Sequence, residues 1–167
     1  MAWTFGAKRI LSGDVAADGG MGTSLSEHDE TLKGTLMLET TEETINWIST
    51  EEKGKRLAMS QDDSETTLAF EVANPSPETQ AYYLGGEVTT GTNSKKTYSP
   101  PKVKVPIYKS FKIETKEGYD ISIPNGRIVA TPLGGNIGTD SVLTMKVKIY
   151  AEVPRKEGVS FISYSQK

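Results

Sequence analysis

The stretch that decides the fold runs from Val142 to Val153 and reads VLTMKVKIYAEV. Every second side chain in it is apolar, and these are Leu143, Met145, Val147, Ile149, Ala151 and Val153. Because side chains on a β-strand point alternately to opposite faces, this pattern predicts a long strand with one dry face and one wet face. A second alternating run extends from Val103 to Ile113 and is interrupted only by Lys109.

Shorter strands are predicted through most of the remaining chain. They are expected at Thr31–Thr41, Leu57–Ser60, Thr66–Val72, Tyr119–Ile123 and Arg127–Thr131. Residues 44–49, TINWIS, fit either a short strand or one helical turn. The segment Pro124–Asn125–Gly126 contains an Asn-Gly pair and predicts a hairpin turn. Many short strands separated by turn signals are typical of a sandwich or barrel.

One helix is predicted, from Asn74 to Leu84. Asn74 suits the N-cap and Pro75 the first helical position, while Gly85 and Gly86 supply a stop signal. Few residues of this segment are apolar, so the helix is expected to cover one edge of the sheet. The predicted fold class is mainly β, with two antiparallel sheets packed as a sandwich or small barrel, one short edge helix and long assembly loops. We expect a single domain over residues 1–167.

Two segments have no evident role inside such a domain. Residues 1–31 are interrupted by glycines at 13, 19, 20 and 22 and predict an N-terminal arm plus loop. Loops of this length are uncommon in compact domains unless they are functional or disordered. Residues 88–102 are polar and rich in lysine, and fit either a hairpin tip or a flexible loop. Both segments are too poor in apolar residues to fold alone, so we expect them to carry contacts between subunits.

The composition excludes several classes of function. The chain has 167 residues and no cysteine, so it has no disulfide framework, thiol nucleophile or thiolate metal site. No signal peptide is recognised in the first residues, MAWTFGAKRILSGD. No stretch approaches the roughly 20 apolar residues of a membrane helix, so we expect no membrane binding.

The net charge of −3 conceals an asymmetry between the two halves. Residues 1–83 contain 6 basic and 15 acidic residues, a net of −9, whereas residues 84–167 contain 13 and 7, a net of +6. The halves either pair within one fold or guide head-to-tail self-assembly, in which charge complementarity sets the register. The acidic total argues against a free nucleic-acid binder, which is usually basic.

No constellation of residues predicts catalysis. His28 is the only histidine, and a solvated acidic loop explains it better than a zinc site or a catalytic triad. The carboxylate pairs Glu42/Glu43, Glu51/Glu52 and Asp62/Asp63 are adjacent in sequence, so their members would point apart on a strand. The glycines of PLGGNIG, residues 132–138, lack the lysine and hydroxyl residue of a phosphate-binding loop. We therefore predict no enzyme activity, no cofactor, and no catalytic, cofactor-binding or metal-binding residues.

A lysine-bearing stretch offers a different kind of site. Lys95, Lys96, Lys102 and Lys104 lie near Tyr98, and basic residues interleaved with an aromatic suit single-stranded nucleic acid. A solvated loop, or one that meets an acidic patch on another subunit, is the favoured interpretation.

The order of the segments resembles that of the tail tube (major tail) proteins of long-tailed bacteriophages. The resemblance lies in the order of these segments along the chain: GDVAADGGMGT (13–23), TEETINWISTEEKGK (41–55), TTLAFEV (66–72) and AYYLGG (81–86), followed by long C-terminal strands. It spans nearly the whole chain as a layout and contains no single specific motif.

The resemblance implies a structural virion protein whose hexameric rings stack into a hollow tube through which DNA passes. It implies that arms or long loops bridge successive rings. The expected partners are other copies of the chain, the tape measure protein and the tail terminator, with DNA only in transit. The expected location is the virion tail, assembled in the cytoplasm of the host bacterium. Candidates for an acidic lumen are Glu39, Glu42, Glu43, Glu51 and Glu52.

A β-sandwich binding module, for example one that binds carbohydrate, is the alternative. Such a module would favour an exposed aromatic platform. The candidates for one are scattered along the chain, and they are Trp3, Trp47, Tyr82, Tyr83, Tyr98 and Tyr108. Size in solution discriminates the two, because a tube protein polymerises at high concentration and a binding module stays monomeric.

Overall fold

The computed structural model describes residues 3–52, 54 and 56–167, and of residues 56–59 it describes the backbone only. The fold is mainly β and antiparallel, as predicted, with one short helix. The strands are β1 Phe5–Gly13, β2 Ser26–Glu27, β3 Met37–Thr40, β4 Thr44–Ser49, β5 Arg56–Asp62, β6 Thr66–Ala73, β7 Glu87–Thr90, β8 Lys96–Ser99, β9 Ile107–Glu117, β10 Tyr119–Ala130, β11 Thr144–Ala151 and β12 Ser163–Gln166. The helix α1 is Pro77–Leu84.

Eight strands form one sheet in the order β2-β1-β9-β10-β11-β6-β3, with β12 paired to β10. The β4–β5 and β7–β8 pairs form two separate two-stranded sheets. The core is built from the inward-facing apolar side chains of the large sheet together with one helix residue: Ile10, Leu68, Phe70, Val72, Tyr83, Phe111, Ile113, Ile123, Ile128, Met145, Val147 and Ile149. The alternation predicted for Val142–Val153 is confirmed within β11, because Met145, Val147 and Ile149 are buried while Lys146 and Lys148 are exposed. The strand is shorter than predicted, and Val153, which was expected on the dry face, is 77% exposed.

The predicted hairpin turn at Pro124–Asn125–Gly126 is wrong. These residues lie inside β10, where the register shifts between Ile123 and Gly126. The first half of β10 pairs with β12 and the second half with β11, so this bulge divides the strand between two neighbours. Pro124 has no N–H to donate to a ladder, which a bulge tolerates, and its carbonyl accepts a buried hydrogen bond from Ser110 Oγ at 2.6 Å.

Three other boundaries differ from the predictions. The second long strand begins at Ile107 and not at Val103, and the Val103–Pro106 segment before it lies outside any strand. The helix begins at Pro77, with Ser76 as the N-cap, because Asn74 has a φ of 44° and donates its N–H to Leu143 O. The predicted strand at Thr31–Thr41 shrinks to β3, preceded by an isolated bridge from Thr31.

The prediction of an arm over residues 1–31 is wrong for β1, which lies between β2 and β9 in the large sheet. Five of its nine residues are exposed, so its sequence carries a weak apolar signal. Residues 14–25 contain no strand or helix and lie between β1 and β2. Of the two alternatives predicted for residues 88–102, the hairpin is confirmed, because the segment contains the β7–β8 pair joined by a 3₁₀ turn at Thr92–Ser94.

Candidate assembly surfaces

The β4–β5 hairpin is the first candidate surface. Its strands pair from Thr44 with Asp62 to Ser49 with Arg56, and no other described strand joins them. All six residues of β4 are exposed, with Ile45 at 47% and Ile48 at 59%. An isolated two-stranded hairpin is at best marginally stable in water, and three or more strands or a packing partner are needed for independent stability. A further surface is therefore needed to stabilise this hairpin.

The free edges of the large sheet are the second candidate surface. Residues Phe5–Ile10 of β1 pair with β9 on one side, and on the other side β2 begins to pair only at Leu11. On the opposite end of the sheet, β3 pairs with β6, and no other described strand borders it. Exposed edges with unpaired N–H and C=O groups invite pairing with another chain.

A groove of about 810 Å³ lies between these two edges. Its walls are residues 4–10 and residues 30–38, and we call it the β1–β3 groove. The residues at its floor are apolar and come from β3, β6, β9, β10 and the segment before β3: Leu36, Leu38, Leu68, Ile113 and Ile121. The large sheet is thus open along one side, and the opening exposes apolar surface.

The opposite net charges of the two halves of the chain are partly compensated by ion pairs within the fold. Three ion pairs join an acidic residue of the first half to a lysine of the second: Asp14–Lys109, Asp18–Lys156 and Glu78–Lys96. Such exposed pairs contribute little to stability. Among the described side chains, Glu42, Glu51, Glu52, Asp62 and Asp63 make no ion pair. Residues 42–63 contain six acidic and three basic residues, so the hairpin is acidic by sequence.

The candidate lumen residues do not form one patch in the monomer. Glu39 lies on β3, and Glu42 and Glu43 lie in the connection to β4. Glu51 and Glu52 lie at the tip of the hairpin, roughly 25 Å further along at about 3.3 Å per residue. This separation follows from the strand alternative for residues 44–49, because β4 is extended.

His28 does not lie in a solvated loop, which corrects the prediction. It follows β2 and stacks on Tyr82 of α1, with ring centroids 3.8 Å apart and an interplanar angle of 21°. Lys109 Nζ lies 4.9 Å from the centroid of the same tyrosine ring, and Asp29 accepts a hydrogen bond from the Ser76 N–H. These contacts attach β2 and the residues after it to the helix, and give His28 a packing role.

The pKa of His28 makes stability pH-dependent. Burial lowers this pKa below its ordinary value of 6.5, Asp29 opposes the shift, and Lys109 adds to it. The unfolded chain therefore binds more protons than the folded chain near pH 6. The contribution of neutral His28 to the free energy of unfolding is present above pH 6.5 and is lost as the pH falls. We expect urea unfolding of the protein to show this loss between about pH 7 and pH 5. His28→Phe keeps an aromatic ring against Tyr82 without the titration, so a variant with the same slope as the wild type would contradict the assignment.

The other sequence-predicted site residues remain apart. Among the described residues, no group of three or more His, Asp or Glu side chains has the geometry of a metal site. The glycines of residues 132–138 lie in the loop before β11, where Gly134 bridges to Thr144. Lys96 pairs with Glu78, and Tyr98 donates its hydroxyl to Gly85 O at 2.8 Å, which fixes the β7–β8 hairpin against α1.

The aromatic residues do not form a common exposed platform. Tyr83 is buried against Phe70, Tyr82 packs on His28, and the Tyr98 hydroxyl is bonded to the helix end. The other three are more exposed and lie before β1, on β4 and on β9: Trp3, Trp47 and Tyr108.

The sequence matches no known protein-family model, and no curated protein is significantly similar to it. In the part of the chain that the structure describes, no helix is long and apolar enough to cross a membrane.

Proposed function

We propose that the chain is a tail tube protein of a long-tailed bacteriophage, a structural virion protein that polymerises as stacked six-membered rings into a hollow tube. The observation that carries this proposal is the β4–β5 hairpin, which stands as its own two-stranded sheet and exposes Ile45 and Ile48. A module that stays monomeric has no use for such a hairpin, whereas a polymer stabilises it against a neighbouring subunit.

Two further observations support the proposal. The large sheet has free edges at β1 and β3, and subunits joined in a ring would cover such edges. The order of the segments resembles that of tail tube proteins over nearly the whole length. The alternative of a carbohydrate-binding module is disfavoured because Tyr82, Tyr83 and Tyr98 are engaged in internal contacts.

Size in solution tests the proposal. Sedimentation of the purified protein over a range of concentrations should show rings or longer polymers that increase with concentration. A protein that remains monomeric at every concentration, and forms no tubes with its tail partners, would rule the proposal out.

Assembly should weaken as the salt concentration rises. The acidic excess of residues 42–63 and the basic second half favour charged contacts between subunits, and these are screened over about 8 Å at 0.15 M ionic strength. Light scattering of the assembling protein at increasing NaCl concentrations measures the effect. Equal assembly across a wide salt range would assign the interaction to apolar packing alone.

The free protein should show no measurable affinity for duplex DNA at physiological salt. A tube that passes DNA must not hold it, and phosphate contacts by several basic residues would make transit slow. The exposed basic residues Arg127, Lys146 and Lys148 share the outer face of β10 and β11. This face is where phosphate contacts would be expected first, so it makes the DNA-binding measurement a strict test. Fluorescence anisotropy of a labelled duplex should remain flat, and salt-sensitive binding would contradict this expectation.

A further inference from the structure

We propose that the β1–β3 groove receives the β4–β5 hairpin of a second copy of the chain. The inference deepens the proposed function, because it names the two surfaces that meet when subunits assemble. The groove suits an occupant with strand geometry, since its β1 wall carries a strand edge without a described partner along Phe5–Ile10. The hairpin needs a third strand, since two strands alone are marginally stable.

Backbone pairing is the first component of the contact. Along Phe5–Ile10, β1 uses one edge for β9, and its other edge faces the groove. An extended segment that adds to such an edge gains main-chain hydrogen bonds, and its alternate side chains fill pockets beside the strand. β4 is six residues long, as is the free stretch of β1.

Apolar burial is the second component. The floor of the groove presents Leu36, Leu38 and Ile121, which are partly buried against the core. On the hairpin, Ile45 and Trp47 share one exposed face of β4, and Ile48 lies on the opposite face. Docking would remove the floor of the groove and one face of the hairpin from water, and this burial is the main favourable term in protein association.

Charge complementarity is the third component and identifies the occupant. The residues that line the groove include four basic side chains, Lys8, Arg9, Lys33 and Lys116, against Glu27 and Glu30. Among the described residues, the three lysines make no ion pair, while Arg9 is bound to Glu114 at 2.6 Å. Residues 42–63 contain six acidic and three basic residues, a net of −3. A basic groove and an acidic hairpin attract each other and set the register of docking.

The hairpin of the same chain is not the occupant in this structure. In the part of the chain that the structure describes, β4 and β5 contact chiefly each other, and neither pairs with another described strand. The chain passes from β3 into the hairpin at Thr40. The groove wall is formed by residues 30–38, so the hairpin leaves from the end of β3 that lies away from most of this wall. A second copy therefore supplies the hairpin.

Site-specific cross-linking tests the proposal, because the chain contains no cysteine and each introduced thiol is unique. A groove variant, Lys8→Cys, is mixed with a hairpin variant, Ile48→Cys, and oxidised under assembly conditions. We expect a cross-linked heterodimer on a non-reducing gel. The matched control mixes Lys8→Cys with Ile137→Cys, whose side chain is 91% exposed and belongs to neither surface, and should give far less product.

The outcomes separate this inference from the proposed function. Tubes without the heterodimer would overturn the docking while leaving the tube function intact. Heterodimers without tubes would support the docking and contradict the tube function. Neither tubes nor heterodimers would overturn both. A third variant carries both Lys8→Cys and Ile48→Cys in one chain. A cross-link within its monomer would show that the groove takes the hairpin of its own chain and would overturn the docking between copies.

Charge reversal provides a second, independent readout. Lys33→Glu with Lys116→Glu should block assembly, and so should Glu51→Lys with Glu52→Lys. The chain that carries all four changes should recover assembly, because the complementarity is restored with the signs exchanged. Reversing Lys146 and Lys148 in place of the groove lysines should not rescue the hairpin variant, and a rescue there would contradict the docking.

Discussion

Replacing Ile45 and Ile48 with aspartate should abolish tube formation and leave the monomer folded. About half of each side chain remains to be buried in an assembly. Full burial of an isoleucine stabilises by about 1.5–3 kcal/mol, so the pair contributes on the order of 1.5–3 kcal/mol when the assembly covers both faces of the hairpin. That loss alone raises the concentration needed for assembly by roughly tenfold to a hundredfold. Burying unpaired carboxylates adds a further penalty of several kcal/mol, so no tubes should form.

A graded variant serves as the control for this experiment. Ile45→Thr with Ile48→Thr keeps the β-branched side chains and adds no charge, so assembly should be weakened without being lost. Neither isoleucine belongs to the core, so both variants should unfold in urea like the wild type. Tubes formed by the aspartate variant at the wild-type concentration would show that the hairpin is not an assembly surface.

Phe111→Ala should produce the largest loss of stability. Phe111 is fully buried on β9 between the strand partners Ser12 and Ile123. Truncating a buried phenylalanine costs about 3–5 kcal/mol, since the transfer free energy is lost and a cavity remains. Domains of this kind are stable by only about 5–15 kcal/mol, so the variant should lie close to unfolding.

Phe161→Ala is the matched control, because the same truncation is made at a side chain that is 37% exposed and outside the core. Urea unfolding of both variants measures the difference. A loss for Phe111→Ala below about 1 kcal/mol, similar to that expected of an ordinary surface change, would mean that the core is not built around β9 and β10 as described.

The parts of the fold that could be predicted from sequence are those in which one strand face is buried. β6 and β11 alternate cleanly because Leu68, Phe70 and Met145 lie on the core side of a central strand. β1 escaped prediction because only its C-terminal end is buried and its first half borders the groove. The exposed first half of β1, which weakened its apolar signal in the sequence, is also the unpaired edge on which the proposed assembly depends.

Local turn signals failed where tertiary contacts decided the backbone. The Asn-Gly pair of β10 indicated a hairpin, yet Gly126 is buried inside the strand. A Cβ there would lie 2.5 Å from Ile149 Cγ2 and 3.0 Å from Phe111 Cδ2, so glycine is needed for close packing and not for a turn. The start of the helix was mispredicted for the same reason. Asn74–Pro75 and Ser76–Pro77 both fit an N-cap followed by proline, and contacts from outside the helix select Ser76 as the N-cap.

The candidate surfaces could be predicted only in part. The acidic character of residues 41–65 was visible in the sequence, as was the polarity of residues 88–102. The sequence could not reveal that the β7–β8 hairpin is anchored to α1, whereas the described strands β4 and β5 pair only with each other. That difference depends on the hydrogen bond from Tyr98 to Gly85 O at the end of α1, and it is why the proposed assembly surface is the β4–β5 hairpin and not residues 88–102.

Negative-stain electron microscopy of the purified protein at high concentration tests the central claim most directly. The account predicts hollow tubes about as wide as a phage tail, built from stacked rings with six subunits in end-on views. The Ile45→Asp, Ile48→Asp variant should show only single particles under the same conditions. Fields of monomers for the wild type at every concentration, with tail partners present, would contradict the claim that this chain forms a tail tube.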